Sequence, residues 1–136
     1  MQPDGRRLAL TREWLLKAFN DGVMAQRALQ PPAIPEMAAF HSQQRAEKVL
    51  KGYLTWHSEE FDWTHNLGRL VRLCSKLDDS FAVFIRAAEQ LTPYATASRN
   101  PEYGPPMEVA EAEQAIALAH EMYEFVLDRL PASVHP

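Results

Sequence analysis

The sequence predicts an all-α fold, an up-down bundle of four to five antiparallel helices. Three observations carry this. Apolar residues recur at helical spacing in segment after segment, while the alternating, β-branched runs of strands are nearly absent. Prolines and short polar clusters cut the chain into helix-length pieces. The connections are mostly short, which favours antiparallel neighbours. With 136 residues the chain is expected to form one domain, spanning 10–130, with a flexible N-terminus over 1–9 and a flexible tail over 131–136.

The first helix is expected from about Leu10 to Leu29, with Leu15, Phe19, Gly22, Val23 and Gln26 on one side and Trp14 beside them. Pro31 and Pro32 stop it, because proline lacks the amide and disfavours helix in the residue before it. Pro35 suits a first turn, so a second helix follows over about Glu36 to His57, its apolar side formed by Ala39, Ala46, Val49, Leu50, Tyr53 and Leu54. Phe61 and Trp63 lie in the loop beyond. Thr64 is the expected N-cap of a third helix, which His65 begins and which carries Leu67, Leu70, Val71, Cys74 and Leu77. Asp78, Asp79 and Ser80 break it and cap a fourth, from Phe81 to Tyr94. A proline-rich loop from Thr96 to Pro106 precedes the last helix, which has the cleanest periodicity: Val109, Ala112, Ile116, Ala119, Tyr123, Val126 and Leu130.

Hydrophobic residues at 46% and charged residues at 24% are ordinary for a globular protein. A net charge of -4 argues against broad, non-specific nucleic-acid binding, which needs a basic face. The lone cysteine, Cys74, excludes an internal disulfide and reads as a core thiol. No secretory signal is recognised after Arg6 and Arg7, and no segment approaches the roughly 18 apolar residues of a membrane span. A cytoplasmic location is expected.

Several chemistries lack their signatures. His41, His57, His65, His120 and His135 form no His-Glu-x-x-His motif, so no metal site is expected. A Gly-x-Ser-x-Gly elbow and a Gly-rich phosphate loop are missing, and no cofactor is predicted. The second helix is more informative. Gln44, Glu47, Lys48 and Lys51 form a polar stripe at helical spacing, and Glu47 to Lys51 is the favourable orientation for an ion pair. Taken alone, such a stripe reads as a solvated face. Arg99, followed by Asn100 in the long loop, is a candidate for bidentate phosphate binding.

At these residues the chain resembles the HEPN family. The segment from Phe40 to Lys51 is similar to the family's F-x-x-Q-Q-x-x-E-K-x-L-K helix, and Thr64-His65-Asn66-Leu67 with Leu70 to its T-H-[DN]-L-x-x-L start. Leu91-Thr92-Pro93-Tyr94 followed by Arg99-Asn100-Pro101-Glu102 is similar to its L-x-x-Y … R-Y-P-[DE] loop. The resemblance implies a helical bundle, usually a homodimer. It also implies either a ribonuclease, often a toxin, or a partner of a minimal nucleotidyltransferase. Ribonuclease members use an arginine, a polar residue and a histidine shortly after. Arg99 and Asn100 match the first two, but Gly104, Pro105 and Pro106 stand where the histidine falls. The expectation is therefore a non-catalytic or weakly active protein that dimerises. It would bind nucleotide or RNA phosphate through Arg99, Asn100, Lys48, Lys51 and His65, or bind a nucleotidyltransferase, in a toxin–antitoxin-like setting. The alternatives are a metal-independent endoribonuclease with His41 or His65 in place of the missing residue, and a purely structural helical module.

Overall fold

The computed structural model describes residues 4–96 and 100–136. Among these the fold is an all-α bundle: α1 (Gly5–Ala28), α2 (Pro35–Trp56), α3 (Leu67–Leu77), α4 (Ile85–Leu91) and α5 (Val109–Leu127). The predicted class is correct.

α1 starts earlier than the periodicity suggested. Asp4 caps it, its carboxylate accepting from the Arg7 amide at 2.7 Å. That first turn is polar, so the apolar pattern carried no sign of it. The buried side of α1 is Thr11, Leu15, Ala18, Asp21 and Ala25. Phe19, expected on the same side as Leu15, is 44% exposed.

α2 is the central helix. It packs against α1 along most of its length, against α5 on another side, and against α3 and α4 beyond. Gly52 allows the first of these contacts, since a Cβ there would lie 3.1 Å from Leu15 Cδ2. The helix ends where Ser58 takes a left-handed conformation (φ 58°) and the Glu59 amide reaches back to the Leu54 carbonyl at 2.9 Å.

The Asn66 side chain, accepting from the Arg69 amide at 3.1 Å, caps α3. Thr64 therefore is not the cap; its hydroxyl accepts from the Asn66 amide and shapes the approach. His65 lies just ahead of the helix. Asp78 breaks the chain as expected. The predicted fourth helix is divided into a 3-10 segment over Asp79–Phe84, α4, and a second 3-10 segment over Thr92–Ala95. α5 ends at Leu127, short of Pro131. The tail, expected to trail loosely, packs: Ala132–Val134 turns back, Val134 is fully buried, and His135 Nε2 meets the Leu127 and Leu130 carbonyls.

The core collects Leu15, Leu50, Leu54, Leu67, Leu70, Phe81, Leu91 and Met122 around α2. Cys74 lies within it, as expected of a core thiol, and burial pushes its pKa up. Leu50 is 0% exposed. Its replacement by alanine is expected to lower unfolding stability by about 2–5 kcal/mol, measured by urea denaturation followed by circular dichroism. A loss under about 1 kcal/mol would mean that this packing is wrong.

Candidate functional site

The polar stripe of α2 is not a solvated face. Gln43, Glu47 and Lys51, each four residues apart, share one line of the helix and are 0%, 4% and 3% exposed. The loop between α2 and α3 covers them. Gln43, not singled out from the sequence, ties that loop down: its Nε2 donates to the His65 carbonyl at 3.1 Å and to Glu47 Oε1 at 3.2 Å. Gln44, half-buried beside it, donates to Gln43 Oε1 at 2.7 Å.

Glu47 is the hub. Its Oε2 accepts from Lys51 Nζ at 3.0 Å, and its Oε1 meets His65 Nδ1 at 2.8 Å. Burial pushes the Glu47 carboxyl upward, but the hydrogen bonds from His65, Lys51 and Gln43 and the charge of Lys51 outweigh it. The net effect is a pKa below the ordinary 4.5. A carboxylate only accepts, so the neutral His65 ring carries its proton on Nδ1 and leaves Nε2 as an acceptor. No described group bonds Nε2, and the His65 side chain is 67% exposed.

Lys51 is enclosed by rings. Its ammonium lies 5.7 Å from the centroid of Trp14 and 5.8 Å from those of Phe61 and Trp63, within cation–π range. Trp63 is 95% exposed. The outer surface of the site is therefore an exposed indole next to an exposed imidazole, underlain by a buried ion pair.

Two expected phosphate contacts are thereby corrected. Lys51 is buried and already neutralised by Glu47. Lys48 is paired as well, its Nζ lying 2.7 Å from Asp21 Oδ2 of α1. Asp21, which no motif marked, also holds His41 Nδ1 at 2.8 Å. The side chain of Asn100 accepts from the Glu102 amide at 2.9 Å and caps the 3-10 turn over Pro101–Tyr103. Arg99 lies outside the described residues.

The comparisons with known proteins accord with this architecture. The family model described as HEPN domain matches residues 11–130. The chain belongs to the HEPN domain family. Among solved structures, the crystal structure of TT1696 from Thermus thermophilus is similar, with a TM-score of 0.73. That protein is 28% identical to this HEPN chain, over 88% of this chain and 98% of the other. No curated protein gives a match. Among the described residues of this HEPN protein no helix is long and apolar enough to cross a membrane.

The hub can be tested in two ways. Glu47→Gln leaves Lys51 buried without its counter-charge, which is expected to cost about 3–5 kcal/mol in urea denaturation. Because the folded carboxyl titrates below its unfolded value, its stabilising contribution is complete above pH 4.5 and fades as pH falls through the folded pKa. Wild type should therefore lose stability on acidification below that point more steeply than Glu47→Gln. Parallel acid-unfolding curves would refute the assignment.

Proposed function

We propose that this HEPN protein is a binding module whose two copies associate, each holding the phosphate of a nucleotide or RNA at the edge formed by His65. The observation that carries this reading is the fixed ring of His65. A buried carboxylate orients it, and its free nitrogen faces outward. An imidazole held in this way donates to a phosphate oxygen when protonated and accepts from a sugar hydroxyl when neutral. Trp63 beside it offers a face for a base to stack on.

Arg99 and Asn100 remain in this reading as the loop contribution. The Leu67 amide donates to Thr92 Oγ1 at 3.1 Å, so the segment leading into that loop is tied to the start of α3, two residues after His65. A nucleotidyltransferase carrying bound nucleotide would present the same phosphate chemistry, and a toxin–antitoxin-like pairing would use the same edge. The association of two copies is supported by the family resemblance and by apolar side chains left exposed on α1, among them Leu16 at 48% and Phe19 at 44%.

One observation favours a second reading, a metal-independent endoribonuclease. The Glu47–His65 pair supplies an imidazole of defined tautomer, the group missing from the loop motif. His41 is also held by a carboxylate, but on the α1 side of α2, beside Lys48.

The test is a titration at low salt with a panel of nucleotides and a short single-stranded RNA, using wild type, His65→Ala and Arg99→Ala, with the RNA then run on a gel. The expected result is weak binding by wild type, reduced about tenfold or more in each variant, with intact RNA. Cleavage lost in His65→Ala would favour the endoribonuclease. Equal binding by all three proteins would sink the phosphate site. His65→Ala keeps the Glu47–Lys51 pair, so its fold is expected to survive, as thermal melting can check.

A further inference from the structure

A groove of about 710 Å³ runs between α1 and α5. Its walls are apolar, with Phe19 and Val23 from α1 and Val109 and Ile116 from α5. Phe19 and Val109 are 44% and 41% exposed, so each leaves much of its surface in water.

Arg45 of α2 lines the groove, half-buried. Its Cζ stacks 4.0 Å from the centroid of Tyr123, and its Nη1 lies 3.3 Å from His120 Nδ1. Its Nε is buried with no acceptor. Gly22 allows this position: a Cβ there would fall 2.7 Å from Arg45 Cζ. Among the described residues no carboxylate comes within ion-pair distance of this guanidinium. Burial lowers the Arg45 pKa, and the attraction of Tyr123, Glu124 and Asp21 does not make up the difference. Glu113 stands in the same groove, exposed, and pairs with no cation among the described residues.

Among the described residues the groove thus carries the guanidinium of Arg45 and the carboxylate of Glu113, neither in an ion pair, between apolar walls. A small anion would meet Arg45 but be repelled by Glu113, and a small cation the reverse. A surface bearing both signs is complementary to itself when turned about a two-fold axis.

We propose that this groove is the contact between two copies of the chain, with Glu113 of the partner subunit neutralising Arg45 and the reciprocal pair completing the two-fold. The inference rests on the association proposed above and adds which face is used and which ion pair sets its register. Apolar walls supply the area, and the paired charges exclude other partners.

Sedimentation equilibrium of the full chain at low salt tests this. Wild type is expected at twice the chain mass of 15.5 kDa. Glu113→Arg places a cation against Arg45 and is expected to weaken association about tenfold or more. Arg45→Glu combined with Glu113→Arg restores opposite charges and is expected to recover most of that loss. Phe19→Asp, at a side chain 44% exposed and checked for folding by circular dichroism, should also dissociate the pair, and it stands in if the double variant fails to fold. A wild-type dimer that survives both Glu113→Arg and Phe19→Asp unchanged would overturn the placement while leaving association intact. A wild type that stays monomeric would remove the association itself, and this inference with it.

Discussion

The carboxylate of Glu47 is the constraint on which the candidate site depends. A buried charge is tolerated only where it is paired and hydrogen-bonded. Here one oxygen takes the Lys51 ammonium and the other takes Gln43 and His65. These contacts reach from the middle of α2 into the loop that covers it, and they hold His65, the residue before the Asn66 cap of α3. Gln43 repeats the attachment through the His65 carbonyl, so backbone and ring of the same residue are anchored to one helix. The aromatic side chains around Lys51 then shield a cation that would otherwise face water. Packing alone would close this end of the bundle. The hydrogen-bonded network gives it one arrangement, with a histidine turned outward.

α2 also separates two chemistries. The Glu47 line faces the loop and carries the exposed His65 and Trp63. Around the helix, His41 and Lys48 meet Asp21 of α1, and Arg45 reaches the groove between α1 and α5. The likeness in connectivity is informative. Asp21 and Glu47 each bridge one histidine and one lysine, but Asp21 ties two helices together in the bundle whereas Glu47 holds a ring at the surface. Membership of the HEPN family sets the frame for both sides. In the proposed function, His65 takes the place of the histidine absent from the Arg99–Asn100 loop.

Much of the fold was legible. Pro31, Pro32 and Pro35 marked the break between α1 and α2, because their effect is local and steric. The core positions of α2 followed from helical periodicity, as did Ala112, Ala119, Tyr123 and Val126 of α5, whereas Val109 of the same pattern is 41% exposed. The caps were less legible, since Asp4, Thr64 and Asn66 are all competent and geometry alone chooses among them. The site was legible only in outline. The Glu47–Lys51 pair was read from its spacing, yet spacing cannot say whether a stripe faces water or another element. Lys48 and Lys51 were grouped as phosphate contacts because both are cations on one helix. Each already has its own carboxylate, Asp21 for Lys48 and Glu47 for Lys51, which spacing along one helix does not reveal. Gln43 was discoverable, standing four residues before Glu47. Asp21 and Arg45 had no motif to announce them, because their roles exist only once α1 and α5 have packed against α2.

A double-mutant cycle on Glu47→Gln and Lys51→Met, read by urea denaturation, tests the central claim most directly. If the buried pair holds this end of the protein, the double variant removes both charges and should be far less destabilised than the two single losses added together. The expected coupling is about 2–3 kcal/mol. Additivity within about 0.5 kcal/mol would show that the two side chains do not sustain each other, and the account built on Glu47 would fall.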